Sequence, residues 1–453
     1  MNNIVLILAA GQGTRMKSKI PKVLHEVMGQ PMLTHVVDVS KALEAKETIV
    51  IIGHGSDLIK EKMGNELKYA YQTEQLGTGH AVMMAKEFIE RDSNILILYG
   101  DTPLIKENTL KDFIDFHVKN ENALSVLSMI ANNPYGYGRL VRDNTGKLLS
   151  IVEQKDASED EKVIKEVNTG IYIINSNHLL ANLDNLKNNN SQKEYYLTDM
   201  LAIFNENGLK IDAFKSLDEE EFMGVNDRIG LSKANEILRK RINEKHMIEG
   251  VTLLDPLNTY IEKNVKIGQD TVIYPNTHLK GTTNIGTDCV LGPNITISDS
   301  ILNSGITIVN STVTSSTIDD GTKIGPYAYL RPGSNIGKHV KIGDFVEIKN
   351  SNIGDETKIS HLTYVGDSDL GRNVNLGCGV VFVNYDGMKK SRSIVGDNSF
   401  IGCNVNIVSP VVVEENSYIA AGSTITMNVP KNSLAIAREK QRNIENWVTR
   451  KRG

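Results

Sequence analysis

Along the chain the spacing of apolar residues changes period. Up to about residue 225, continuous apolar runs such as Ile4–Leu8, Ile49–Ile52 and Ile95–Leu98 alternate with helix-like stretches such as Leu110–Phe116. Runs with no polar alternation mark strands covered on both faces, so this part reads as a mostly parallel, Rossmann-like α/β sheet. Over residues 227–247, Ile229, Ala234, Ile237, Leu238 and Ile242 fall near helical spacing among Lys, Arg and Glu, which predicts a long, half-exposed linking helix. From Ile261 the period becomes six: Ile261, Ile267, Ile273, Leu279, Ile285, Leu291 and Ile297, then Ile318 to Ile348, then Val395 to Ile425. Neither a helix nor an ordinary sheet has that repeat; a parallel β-helix of triangular coils does, with one inward apolar residue per side. The expected domains are 1–226, a linker helix 227–247, and a β-helix over 248–453.

Breaks in the repeat carry information. The register slips by one residue between Ile348 and Ile353 and between Val365 and Leu370, and is poorly defined from Ser298 to Thr317. Between Phe382 and Val395 lie thirteen positions where six suffice, so a loop within Asn384–Arg392 is predicted to leave the coil. Loops thrown out from a rigid scaffold are where function concentrates.

Charge and cysteine content narrow the class. Among 453 residues, 50 Lys+Arg against 55 Asp+Glu leave a net charge of −5, which speaks against a nucleic-acid partner for the body of the protein. The terminal Arg450, Lys451 and Arg452 read as a solvated tail. Three separated cysteines, Cys289, Cys378 and Cys403, are expected to be free thiols in a reducing compartment. The apolar start is too short for a signal peptide or membrane span, so the expected location is the cytoplasm.

Gly11-Gln12-Gly13-Thr14-Arg15-Met16 follows the first strand, where glycines let backbone N–H groups approach a phosphate or base. Met16 at the third glycine position rules out a dinucleotide fingerprint, and no Gly-Lys-Ser/Thr follows. Tyr99-Gly100-Asp101 ends a buried strand, where a carboxylate suits a hard cation; by itself Asp101 is equally a helix cap or turn residue.

The run Leu8-Ala9-Ala10-Gly11-Gln12-Gly13-Thr14-Arg15-Met16, followed by Pro21-Lys22, resembles the sugar nucleotidyltransferase signature. The resemblance implies that this loop wraps a nucleoside triphosphate and that Arg15 and Lys22 neutralise phosphate oxygens during catalysis. Gln72–Ala81 looks like the uracil-recognition segment, with Gln72, Gly77 and Thr78 as contacts. Gly138, Glu153 and Asn168 match sugar-binding segments, as does Thr169, and Asp101 with Asn226 would hold Mg²⁺. The UTP and UDP-sugar set implied is thus Leu8, Ala9, Ala10, Gly11, Gly13, Lys22, Gln72, Gly77, Thr78, Gly138, Glu153, Asn168 and Asn226. A sugar phosphate is already an oxyanion, so no general base is required, and His25 and His80 read as structural.

In the second half, coils of eighteen residues would stack Arg331 on Lys349 at about 4.8 Å. Two cations so placed repel unless an anion lies against them; they are either a sugar-phosphate site or two solvated surface cations. His361 follows in Ser360-His361-Leu362-Thr363-Tyr364, and acetyl transfer to an amino sugar needs a group to take the amine proton.

Arg331-Pro332-Gly333, Lys349-Asn350, His361-Leu362-Thr363-Tyr364 and Asn384-Tyr385-Asp386-Gly387 together resemble the acetyltransferase half of bacterial bifunctional N-acetylglucosamine-1-phosphate uridylyltransferase/glucosamine-1-phosphate acetyltransferases. The resemblance runs from Leu8 to the region of Trp447. It implies a left-handed β-helix, against the usual crossover hand, and homotrimers that make UDP-N-acetylglucosamine for the cell wall from UTP, acetyl-CoA and glucosamine 1-phosphate. His361 would be the general base; Arg331, Lys349, Tyr364, Asn375 and Lys390 would bind the amino-sugar phosphate; and Asn384, Tyr385, Cys403, Ala421 and Arg438 would contact acetyl-CoA. Cys403 departs from the expected serine and reads equally as a packed thiol. Tyr385, Cys403 and Ala421 are successive eighteens, although the loop spoils strict stacking at Tyr385. Two other readings stand beside this one: a single-activity nucleotidyltransferase with a structural or regulatory β-helix, and a non-enzymatic scaffold.

Overall fold

The computed structural model describes residues 2–452, which fall into two compact units, Met1–Leu238 and Arg239–Gly453. In the first, β1 (Asn2–Ala9), β2 (Glu47–Ile52), β3 (Lys68–Tyr71), β4 (Ser93–Tyr99), β5 (Leu124–Ile130), β6 (Glu166–Asn175) and β7 (Ile211–Ser216) form one sheet in the order β7-β5-β6-β4-β1-β2-β3. Neighbours are parallel except β6, which runs antiparallel to both β4 and β5. Because β1 is buried on both faces, its residues feed two cores in alternation: Ile4, Leu6 and Leu8 one side, Val5, Ile7 and Ala9 the other. Each full burial of such a side chain stabilises the fold by about 1.5–3 kcal/mol. Helices α1 (Met32–Ala42), α2 (Thr78–Met84) and α3 (Glu107–Lys119) contribute to these cores through residues such as Val36, Val82 and Phe113.

The long helix α4 spans Arg228–Ile248, and the division between the units falls within it. Its first half belongs to the first unit: Arg228 Nε donates to the Met16 carbonyl at 3.2 Å, and the Met28 N–H donates to Asn235 Oδ1 at 2.9 Å.

The second unit is three all-parallel sheets of 11, 10 and 9 strands, with each coil giving one strand to each sheet. One inward column runs Ile273, Leu291, Ile308, Ile324, Ile342, Ile359, Leu376, Ile401, Ile419, paired step by step. The coils vary in length. Leu330 pairs with Ile348, eighteen on; Ile348 pairs with Val365, seventeen on; and Leu302 pairs with Ile318, sixteen on. Five-residue sides at Ile297–Leu302, Ile308–Val313 and Val313–Ile318 account for the stretch where the six-residue pattern blurs. Corners of the coils repeatedly hold Asn or Asp at positive φ, for example Asp299, Asn350 and Asp367, residue types that tolerate the left-handed conformation.

Candidate functional site

A cavity of about 720 Å³ opens at the C-terminal ends of β1 and β4 in the first unit. Leu8, Ala9, Ala10, Gly11, Arg15, Lys22, Gln72, Gly77, Thr78, Asp101 and Asn226 all line it. Gly13 lies beneath: its φ is +62°, and a Cβ there would come within 2.5 Å of Lys22 Cβ, so the glycine lets the Lys22 side chain pass close to the loop. Gly77, at φ +103°, turns the Gln72–Ala81 segment under the stretch that holds Tyr195; a Cβ would meet the Tyr195 carbonyl oxygen at 2.7 Å. The contact is fixed by hydrogen bonds from the Tyr195 N–H to the Leu76 carbonyl (2.8 Å) and from the Gly79 N–H to the Tyr195 carbonyl (2.7 Å). Gln72 Nε2 donates to the Gly77 carbonyl at 3.0 Å and lies 3.2 Å from His80 Nδ1, which leaves His80 a supporting residue. His25 is buried beside Arg228; burial, then the Arg228 charge, holds its pKa below the ordinary value.

At the floor of the cavity the Lys22 ammonium forms an ion pair with Asp101 Oδ2 and lies 3.2 Å from Asn226 Oδ1. Two oxygens 125 positions apart in sequence thus converge on one positive charge, with Lys22 and Asp101 each 15 % exposed. The Val225 N–H bond to the Asp101 carbonyl (2.9 Å) is what brings Asn226 there. Hard oxygens converging on a cation suit Mg²⁺. No group of three or more His, Cys, Asp or Glu gathers as a metal site among the described residues.

Glu153, Gly138 and Asn168 form a neighbouring cluster. The Asn168 N–H donates to the Gly138 carbonyl at 2.9 Å, and a Cβ on Gly138 would lie 3.3 Å from Glu153 Oε1. Burial, reinforced by Asp156 and Asp199, pushes the Glu153 carboxyl up. Thr169 and Tyr99 carry this cluster to the cavity wall. Sequence reasoning missed Tyr99, Gln75, Tyr137 and Glu194, which also line the cavity. Tyr99 was readable in principle, as the last residue of a buried strand; Glu194 was not, because only the fold brings residues 190–195 to the Gly77 turn.

In the second unit Arg331 and Lys349 do stack, since the Arg331 N–H donates to the Ile348 carbonyl at 2.8 Å. Each cation also has an acidic neighbour within the chain: Arg331 Nη1 pairs with Glu347 Oε1 at 2.8 Å, and Lys349 Nζ lies 3.9 Å from Asp367 Oδ2. The Lys390 ammonium reaches Lys349 from the ejected loop and, together with burial, pulls the Lys349 pKa down. Tyr364 starts the next strand of the same sheet, and its hydroxyl lies 3.5 Å from Asn384 Nδ2.

His361 Nδ1 is 2.6 Å from Asp344 Oδ1, seventeen residues earlier and directly paired with it in the sheet. The hydrogen bond from His361 holds the Asp344 carboxyl below the usual range. A carboxylate on Nδ1 fixes the tautomer that leaves Nε2 free to accept a proton. The register places Cys378 one coil beyond His361 and Cys403 one coil beyond Cys378, with the Asn404 N–H bonded to the Cys378 carbonyl at 2.8 Å. Ala421 and then Arg438, which passes over Gly422, continue this strip. Tyr385 therefore does not precede Cys403 in the stack. It lies in the loop Asn384–Arg392, bridged to Lys390, with its hydroxyl on the Gly387 carbonyl at 2.6 Å. Asn375 also stands apart, in the sheet of Lys358 and Phe400 rather than that of Arg331, Lys349 and Tyr364.

Comparisons with known proteins agree with both units. A nucleotidyl transferase family model matches residues 4–218, and the bacterial transferase hexapeptide (six repeats) model matches residues 315–350 and 392–426. The second unit is thus a left-handed parallel β-helix of hexapeptide repeats. A solved structure of a putative glucose-1-phosphate thymidylyltransferase from Bacillus anthracis covers 52% of this chain and 94% of its own, at 21% identity and a TM-score of 0.44. Among curated relatives, the bifunctional protein GlmU of Clostridioides difficile is 56% identical over 451 residues, spanning 100% of this chain and 98% of the relative. Those of Alkaliphilus metalliredigens and Clostridium perfringens are each 52% identical, covering 98% and 100% of this chain and 98% and 100% of their own length. Full-length likeness at this level, with both units in the same order, places the chain in the family of bifunctional GlmU proteins.

Proposed function

We propose that the β-helix unit acetylates glucosamine 1-phosphate with acetyl-CoA and that the α/β unit couples the product to UTP, yielding UDP-N-acetylglucosamine and pyrophosphate. The observation that carries the reading is the presence, in one chain, of a phosphate-type cavity floored by Lys22, Asp101 and Asn226 and, in the other unit, of an Asp344–His361 pair and a cluster of the Arg331, Lys349 and Lys390 cations.

For uridylyl transfer, Gly11, Gly13 and Arg15 wrap the triphosphate while Gln72, Gly77 and Thr78 take the base. The sugar phosphate oxygen attacks the α-phosphorus, the bond to the β-phosphate oxygen breaks, and pyrophosphate leaves. Lys22 and Arg15 stabilise the charge that accumulates. Asp101 and Asn226 would hold Mg²⁺, which when bound neutralises phosphate oxygens as a Lewis acid. Glu153 and Asn168 bind the sugar.

For acetyl transfer, Arg331, Lys349 and Lys390 hold the sugar phosphate. His361 Nε2 takes the proton of the amine, whose nitrogen attacks the thioester carbonyl; the CoA sulfur leaves and recovers that proton from the imidazolium. Cys403, Ala421 and Arg438 line the CoA path. The hexapeptide repeats of the second unit support a homotrimer. No helix among the described residues is long and apolar enough to cross a membrane, and the reading places the enzyme in the cytoplasm.

The test is product analysis with UTP, acetyl-CoA, glucosamine 1-phosphate and Mg²⁺. Asp101→Ala should lower uridylyl transfer at least about a hundredfold and leave CoA release intact, while His361→Ala should do the reverse. An unaltered rate in either variant removes the role assigned to that residue.

A further inference from the structure

Asp367 occupies a coil corner at φ +48°, the same kind of corner held by Asn350 one coil earlier (φ +46°) and by Asp299 (φ +49°). The turn itself needs no more than an asparagine, as Asn350 demonstrates. Asn350 and Asp299 are exposed, whereas Asp367 is only 7% exposed, beneath the ejected loop. A carboxylate is a costly choice at a buried corner unless its charge is used.

Asn350, Asn384, Lys349 and Lys390 act on its carboxylate. Oδ1 accepts from Asn350 Nδ2 at 2.6 Å, and Oδ2 accepts from Asn384 Nδ2. Lys349 Nζ is 3.9 Å from Oδ2, and the charges of Lys349 and Lys390, after the two amide hydrogen bonds, keep the Asp367 carboxyl below its ordinary range despite burial. The backbone closes the arrangement: the Asp367 N–H donates to the Lys349 carbonyl at 3.0 Å, and the Ser393 N–H donates to the Asp367 carbonyl at 3.2 Å. Asn384 opens the ejected loop and Ser393 follows it, so one residue holds both feet of the loop and the anion beside its lysines. Asp369, two residues on, binds the loop differently, by a pair of hydrogen bonds from Arg392, away from Lys349 and Lys390.

Resting on the acetyl-transfer reading above, we infer that Asp367 is a positioning residue of that site, which keeps Lys349 and Lys390 together as ammonium ions and fixes the Asn384 amide. Two ammonium groups within hydrogen-bonding reach repel, and an anion against them offsets that repulsion. The groups that act on Lys349 are Lys390, Asp367 and Arg331, with Arg331 itself bound by Glu347. Removing the Asp367 charge leaves the Lys390 charge unopposed at Lys349, so Lys349 loses its proton at lower pH and its hold on a phosphate weakens first on the alkaline side. Asparagine at 367 offers one acceptor and one donor where both neighbouring amides donate, so one of them must turn away.

The experiment uses the full chain and follows CoA release against glucosamine 1-phosphate concentration from pH 6.5 to 9. In Asp367→Asn, KM for glucosamine 1-phosphate should rise about tenfold or more at pH 7, and the alkaline fall of kcat/KM should begin at lower pH than in the parent. Asp369→Asn is the control for loop anchoring alone and should leave the alkaline limb in place. Thermal unfolding of each variant separates lost folding from lost positioning. Should Asp367→Asn unfold, Asn350→Asp/Asp367→Asn, which restores one carboxylate beside Lys349 and an amide at the corner, must recover part of the lost KM. An unshifted alkaline limb, an equal shift in Asp369→Asn, or no recovery in the double variant would overturn the inference. If the parent chain releases no CoA with glucosamine 1-phosphate, the acetyl-transfer reading itself falls, a result that differs from any of these.

Discussion

His117 is buried, with Nδ1 2.9 Å from the Ser125 hydroxyl, and desolvation lowers its pKa to about 4. In the unfolded chain a histidine titrates near 6.5. Between those values the unfolded state binds a proton that the native state refuses, so stability is full above about pH 6.5 and falls as the pH drops toward 4. The difference amounts to about 3 kcal/mol. His117→Leu should flatten this slope, a change read from unfolding midpoints of the first unit at pH 7 and pH 5. An unchanged slope would mean that other groups dominate acid unfolding. None of this follows from the residue's name; a histidine on a helix titrates ordinarily unless the fold buries it.

Short turns decide how elements meet. Gly77 combines a φ of +103° with a Tyr195 carbonyl where a side chain would go, whereas Gly208, at φ +68°, has nothing within 4 Å. Gly77→Ala therefore carries both backbone strain and a clash. It should raise KM for UTP about tenfold and cost about 2–4 kcal/mol in stability, while Gly208→Ala costs only the strain, about 1 kcal/mol. Urea unfolding and uridylyl-transfer kinetics on both variants make the comparison, and equal losses would remove Tyr195 from the account. The sequence marked Gly77 as part of a uracil-type segment by resemblance. What it did not contain was the approach of residues 190–195, which are more than a hundred positions away and have no pattern linking them to the turn.

At the scale of the whole molecule, the two units divide the chemistry. Because the first half of α4 is fastened to the first unit through Arg228 and Asn235, a chain ending after Leu238 should keep uridylyl transfer within about twofold of the parent. A chain ending at Ile229 loses the Asn235–Met28 bond and the buried Ala234, and should unfold at a lower temperature. Loss of uridylyl transfer in the longer fragment would show that the α/β unit depends on the β-helix.

Much of the architecture was local and therefore legible. Ile4–Leu8 as a doubly covered strand, Leu110–Phe116 as helix and the six-residue column from Ile261 each repeat a short-range pattern that burial enforces. The glycine-rich loop was legible too, since backbone approach to a ligand demands small residues in consecutive positions. The pairings inside the sites were decided by the tertiary structure. Asp344 meets His361 only because that coil closes in seventeen residues, and Cys378, not Tyr385, precedes Cys403 only because the loop leaves the coil. Likewise Lys22, Asp101 and Asn226 share one charge across the whole first unit, and Asp367 becomes a buried anion only once the loop folds over it. A repeat fixes which face a residue takes; the length of each coil and the path of each loop determine which charges then come within a hydrogen bond of one another.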